Sequence, residues 1–234
     1  MEDITIYKDI FNKYYIADTN YICQKKLEIN VKYNSDYIRN NYEKDIIKLF
    51  KAKKLNKLRW EFINSYITIN PVDRLLDFGC GSGTFLTIAN KYCNAVGYDI
   101  NDHKIKAKKI ADINYPKKHF RIVTFFDSLE HTVCPEHIIN VMYPKYIIIS
   151  IPECNAIKNI YNNTYDVDYK KFIEWKHRKY GEHLYHFNRF LLDKFMNKMN
   201  YKCLIHSNFE DLIRKPINKF ESNILSAIYK RMEE

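Results

Sequence analysis

The sequence predicts an α/β fold: a mostly parallel sheet of about six or seven strands with helices on both faces, behind a helical N-terminal extension. Three observations carry this reading. After Pro71, short apolar runs alternate with helical patterns, as successive βαβ units require. One run, Arg74 to Phe78, leads directly into a turn holding three of the chain's five glycines, Gly79, Gly81 and Gly83. The next run ends in Gly97-Tyr-Asp99, so an acidic residue closes the following strand.

Taken in order, residues 1–34 are rich in Tyr and Asn, with short apolar runs that suit one helix and a hairpin. From Ser35 as N-cap, Tyr37, Ile38, Tyr42, Ile46, Ile47, Leu49 and Phe50 recur at helical spacing. A second helix over about 52–66 ends before Asn70-Pro71, with Leu49, Phe50, Leu55 and Leu58 as the inward stripe and Trp60, Phe62 and Tyr66 in the core. This divides the chain into an extension, 1–70, and a main domain, 71–234. Strands are expected at Arg74–Phe78, Ala95–Ile100, Ile122–Phe126 and Tyr146–Ile151, with helices near 84–92, 102–111 and 134–142 between them. Only about 22 residues separate Asp99 from the third of these strands, so the usual third strand of such a sheet is short or missing. Residues 153–182 form a polar, aromatic insertion without periodicity; Trp175 to Arg178 and Tyr180 suit a substrate lid and a surface loop equally. An amphipathic helix follows at Asn188–Met199, then a strand at Cys203–His206, and Ile224–Tyr229 reads as strand or helix.

Composition bounds the function. The chain has 234 residues, which suits one main domain, and no stretch approaches the ~18 apolar residues of a membrane span. Without a signal-peptide pattern at its start, it is expected to be soluble and cytoplasmic. Six scattered cysteines contain no C-x-x-C pair, so neither a zinc ribbon nor a disulfide framework is indicated. The formal charge of +10 raises nucleic acid as a partner, with Lys48 to Arg59 as the densest basic run. A solvated helix face is the preferred reading of that run, because its cations alternate with leucines.

A Gly-rich turn between a strand and a helix places backbone N–H groups at the carboxyl end of the strand, where open α/β sheets bind ligands. A Walker A loop needs Gly-Lys-Ser/Thr, and Gly83-Thr84 lacks the lysine. The dinucleotide fingerprint would put Gly or Ala where Thr84 stands. The pattern Asp77-x-Gly79-x-Gly81-x-Gly83, with Val96-Gly-Tyr-Asp99 after it, resembles the first motif and acidic ribose site of the class I S-adenosylmethionine (SAM)-dependent methyltransferases. That resemblance implies a Rossmann-like domain with SAM as cofactor. It assigns Asp77 to the cofactor's amino group, Gly79, Cys80, Gly81 and Gly83 to its methionine portion and Asp99 to the ribose hydroxyls. Ile100 and Asn101 would then flank the adenine, with Asp127 and Ser128 opposite.

Ile122 to His131, with its Asp127-Ser-Leu-Glu-His131 ending, resembles the fourth motif of the type-23-like, ubiquinone-pathway-like branch of that family. Ile147 to Glu153 and Gly181 to Asn188 resemble its later segments, so the likeness covers about 72–230. It implies methyl transfer to an O or N acceptor, with a small molecule such as a sugar favoured and RNA 2′-O-methylation as the alternative. A hydroxyl acceptor must lose a proton, and His131, His183 and His186 are the candidate bases, with Glu130 orienting one of them. Asp127, Glu130, His131 and His183 also resemble the metal motif of the metal-assisted methyltransferases of ubiquinone synthesis and small-RNA 3′ ends. A metal-free pocket is preferred, because Asp127 stands where those have Glu. A SAM-fold subunit without catalytic activity is the rival from another class, disfavoured because Asp77, the three glycines and Asp99 are all present.

Overall fold

The computed structural model describes residues 13–15, 22–25, 46–100, 119–160 and 164–233. Two short strands, β1 (Tyr14–Tyr15) and β2 (Ile22–Gln24), precede helix α1 (Ile46–Tyr66). The main sheet then begins with β3 (Arg74–Phe78), α2 (Leu86–Ala89), β4 (Asn94–Tyr98) and β5 (Ile122–Phe126). After a 3-10 turn at Leu129–His131 come α3 (Pro135–Met142), β6 (Tyr146–Pro152), the pair β7 (Ile157–Ile160) and β8 (Thr164–Val167), and α4 (Tyr169–Glu174). The chain closes with β9 (Tyr185–His186), α5 (Arg189–Lys198), β10 (Tyr201–Ser207), α6 (Asp211–Arg214) and β11 (Ile224–Arg231).

Six strands form the main sheet in the order β10-β11-β6-β5-β3-β4. The four central and outer strands β6, β5, β3 and β4 run parallel, while β11 is antiparallel to both β6 and β10. Alternation at period two assigns the strand side chains to two cores. Leu76, Val123, Phe125, Ile147 and Ile149 face one core with α3, α4 and α5; Leu75, Ile122, Phe126, Ile148 and Ile228 face the other with α1 and α2. With apolar residues buried on both faces, the strands read as nearly continuous hydrophobic runs.

Arg74–Phe78 and Ile122–Phe126 fall where the sequence places them, and Asn188 caps α5 by accepting from the Leu191 amide. Ile224–Tyr229, open between strand and helix, is the buried strand β11, held between β6 and β10. The expected break between two early helices is absent over the described part: α1 runs without interruption from Ile46. Its inward stripe also differs. Phe50 is 67% exposed and Tyr66 49%, whereas Trp60, Ile63 and Ile67 are buried together with the polar Asn56 and Arg59. The insertion at 153–182 is ordered into β7, β8 and α4; elements of four to six residues are too short to display a period. Within the early segment, β1 pairs with β2, and β2 with β9, so Tyr14 and Ile22 pack in the larger core. The helices expected from Ser35 and over 102–111, a third strand between Asp99 and β5, and Asn101 lie outside the described residues; among those described, β4 is the sheet edge. No helix among the described residues is long and apolar enough to cross a membrane.

Candidate active site

The chain enters β4 on one side of β3 and returns to β5 on the other, so the carboxyl ends of β3 and β5 diverge into a crevice. A cleft of about 1520 Å³ opens there, between α1 and the segment around His177 to His183. The turn after β3 is held against the next strand: the Gly79 and Cys80 amides both donate to the Tyr98 carbonyl, at 2.8 and 3.0 Å. Gly79 has φ +77°, and a Cβ there would lie 2.5 Å from that of Ser128. The Ser128 hydroxyl donates to the Phe78 carbonyl at 2.6 Å, which clamps turn to turn. Gly97 has a similar role on β4, since a Cβ would meet Cys80 Sγ at 2.5 Å and Leu86 at 2.6 Å. The sequence singles out Gly97 only for its nearness to Asp99; its packing role needs the partner strand.

Asp77 is buried at the end of β3 and accepts from the Thr124 hydroxyl at 2.6 Å. Burial pushes its carboxyl up to about 6, against the pull of that bond. Asp99 lines the cleft, and its Oδ2 accepts from the Gly81 amide at 2.8 Å. Beyond Gly81, no described residue occupies the space a side chain would take. Ile100, apolar and 67% exposed, stands at the rim. Asp77, the turn residues Gly79 to Ser82, Asp99, Ile100 and Ser128 therefore all border one space, whose lining has polar and apolar parts, whereas Gly83 does not line it.

Glu130, His131 and His183 gather on the far side. Glu130 is 2% exposed, and neither of its oxygens has a hydrogen-bond partner among the described residues. Burial, reinforced by the nearby Asp127 charge, raises its carboxyl well above the usual range. His131 Nδ1 lies 2.7 Å from the Glu182 carbonyl and so carries the proton, and its Nε2 lies 3.8 Å from Glu130. Burial lowers the basicity of both His131 and His183, whose rings meet edge to face at 4.6 Å. His177, paired with Asn223 at 2.8 Å, stacks on His183.

Two expected residues are placed otherwise. His186 does not line the cleft; it is 1% exposed among the rings of Tyr14, Phe172 and Trp175, because β9 turns it into the larger core. This corrects its assignment as a base. Asp127 borders the cleft at φ +54°, but Arg59 holds its Oδ2 at 2.9 Å and Arg214 its Oδ1 at 2.7 Å. The two guanidiniums keep its carboxyl well below the usual range. The group with convergent donor atoms is therefore Glu130, His131 and His183, without Asp127. Arg59, Glu210 and Arg214 were not foreseen as site residues. Arg59 and Arg214 lie 68 and 87 positions from Asp127, and although Glu210 and Arg214 are an i,i+4 pair, no local pattern connects them to Arg59 or Asp127.

A glycine turn at the switch point of a parallel sheet, with a carboxylate closing the next strand, defines a nucleoside-binding α/β protein. Residues 35–206 match the family Methyltransf_23, described as a methyltransferase domain, and the chain belongs to that family. It is a SAM-dependent methyltransferase, with SAM as its cofactor. No match was found among curated proteins. Among solved structures, it is similar to a SAM-dependent methyltransferase from Archaeoglobus fulgidus at 19% identity, covering 80% of this chain and 100% of that one, with a TM-score of 0.52. A SAM-dependent methyltransferase from Clostridium acetobutylicum is similar at 13% identity, with 85% and 98% covered and a TM-score of 0.52. Magnesium protoporphyrin IX methyltransferase from Synechocystis, with bound SAH, is similar at 10% identity, with 80% and 88% covered and a TM-score of 0.50. At these identities the likeness speaks for the fold.

Proposed function

We propose that this methyltransferase acts on a hydroxyl oxygen of a small-molecule acceptor, and that His131 accepts the hydroxyl proton. Bound SAM supplies an electrophilic methyl group on a sulfonium, whose departure leaves a neutral thioether. Asp99 would accept from the ribose hydroxyls, which lose water on burial and need partners. Asp77 and the turn from Gly79 to Gly83 would hold the amino acid portion, and Ile100 would cover the adenine. The chain's remaining tasks are alignment, exclusion of water and removal of one proton.

The observation that carries the oxygen acceptor is the His131 tautomer. Its Nδ1–H is committed to the Glu182 carbonyl, so the basic lone pair lies on Nε2 of a ring that borders the cleft, and burial keeps that ring neutral at pH 7. A small acceptor is supported by Arg59: the innermost cation of the basic run is neutralised by Glu210 and Asp127 and is not available to a phosphate chain. A second reading, RNA ribose methylation assisted by a divalent ion, draws on the convergence of Glu130, His131 and His183 within 4.8 Å and on Lys48, Lys51 and Lys57 along the rim.

Methyl-labelled SAM, offered with a panel of hydroxylated metabolites and separately with RNA oligonucleotides, tests the proposal. Label in a small acceptor, without dependence on added metal, is expected. His131→Ala should then lower kcat about 10²–10⁴-fold while SAM affinity holds. Label confined to RNA and abolished by a chelator would establish the second reading instead.

A further inference from the structure

On the edge strand at the other end of the sheet from β4, Cys203 and His206 stand three positions apart on β10. In a regular strand that spacing puts two side chains on opposite faces. Here the register against β11 shifts: Cys203 pairs with Tyr229 and Ile205 with Ile228, leaving Leu204 as the extra residue. A bulge of this kind re-aims the side chains beyond it. Both Cys203 and His206 consequently face the layer that holds α5, and there they meet Asp193.

The three side chains converge on one point. His206 Nε2 is 3.0 Å from Asp193 Oδ1 and 3.5 Å from Cys203 Sγ, and one donor atom from each residue lies within 4.8 Å of the other two. A thiol–imidazole–carboxylate relay would use the two ring nitrogens separately, one for the thiol and the other for the carboxylate. In this cluster a single nitrogen faces both, which is the disposition of ligands around a shared cation. Ligands at about 2.0–2.3 Å from a tetrahedral zinc lie roughly 3.3–3.6 Å from one another. The sulfur–nitrogen distance falls in that range, and the nitrogen–oxygen distance is a few tenths of an ångström short of it. Tyr229 donates to Asp193 Oδ1 at 2.7 Å and so fixes the carboxylate from behind, as an outer partner of a metal ligand does. The side chains of His206 and Asp193 are 21% and 35% exposed, which leaves solvent access for a fourth ligand.

We propose that Asp193, Cys203 and His206 bind a zinc ion that pins the edge strand β10 to α5. One thiolate, one imidazole and one carboxylate form a donor set for a borderline cation such as Zn²⁺, not for Mg²⁺ or Ca²⁺, which take oxygen ligands. On binding, the Cys203 thiol gives its proton to solvent and coordinates as thiolate, His206 coordinates as neutral imidazole through Nε2, and water completes the tetrahedron. The site is distinct from the cleft and does not depend on the acceptor proposed above.

Cobalt(II) is the probe, because a cysteine ligand produces a thiolate-to-metal charge-transfer band that oxygen and nitrogen ligands cannot. The full chain, stripped with a chelator and titrated with cobalt, should show this band at one equivalent and lose it when zinc is added. Cys203→Ser should abolish the band, whereas Cys134→Ser, at the exposed cysteine, and His131→Ala, in the cleft, should retain it. Asp193→Asn should weaken cobalt affinity at least tenfold, which provides the readout if Cys203→Ser does not fold. Absence of the band in folded wild-type protein, its survival in Cys203→Ser, or unchanged affinity in Asp193→Asn would each overturn the proposal.

Discussion

The His186 ring sits in an aromatic pocket, its centre 5.7, 5.3 and 5.4 Å from those of Tyr14, Phe172 and Trp175, and neither ring nitrogen has a hydrogen-bond partner among the described residues. Burial lowers its pKa to about 3 from an ordinary 6.5, so the unfolded chain binds a proton that the folded chain refuses. The stability attached to this group is complete above about pH 6.5 and drains away as pH falls toward 3. His186→Phe should remove both the unsatisfied nitrogens and this acid sensitivity. Urea denaturation at pH 7 should show a gain of about 1–3 kcal/mol, and the decline between pH 6.5 and 5 should be shallower than in wild type. Equal slopes for the two proteins would exclude the aromatic-pocket account. In sequence, His186 is indistinguishable from His183, three positions earlier on the same Gly-Glu-His-Leu-Tyr-His segment. Only the pairing of β9 with β2 decides that His183 meets the cleft and His186 the core.

At the scale of elements, a closed ring of charges joins α1, the end of β5 and α6. Arg59 Nε donates to Glu210 at 2.7 Å and its Nη2 to Asp127, while Arg214 bridges the same two carboxylates at 2.7 and 3.0 Å. Glu210 is fully buried, so removal of its cation strands a charge. Arg59→Met should therefore destabilise the protein by about 3–5 kcal/mol, read by chemical denaturation, even though methionine matches the arginine stem. A loss below 1 kcal/mol would mean that Arg214 alone satisfies Glu210. The helices and strands themselves were largely readable: Asn188 as cap, the apolar runs at 74–78 and 122–126, and the Pro71 break each act through residues a few positions apart. The ring was not, because its members are contributed by three elements and each looks, in isolation, like an ordinary surface charge.

For the molecule as a whole, a cofactor that binds only the folded chain stabilises it. SAM at a hundredfold excess over its dissociation constant should add about 2.7 kcal/mol to the folded state, seen as a rise in melting temperature that SAM-free protein lacks. Asp99→Ala should weaken calorimetric SAM affinity roughly 10- to 100-fold, the value of one or two charge-assisted hydrogen bonds. Its loss should also loosen the turn, since Asp99 accepts from the Gly81 amide. The sequence by itself determined the α/β class and the position of the turn, and its motif resemblance pointed to the cofactor, because strand period, glycine spacing and the carboxylate one strand later are all local or one βαβ step apart. Tertiary structure alone decided which histidine faces the cleft, that Asp127 is neutralised by two arginines, and that Asp193, Cys203 and His206 meet. Those outcomes depend on pairing register, a bulge and burial, which fix the direction of side chains only once distant segments of the chain are packed together.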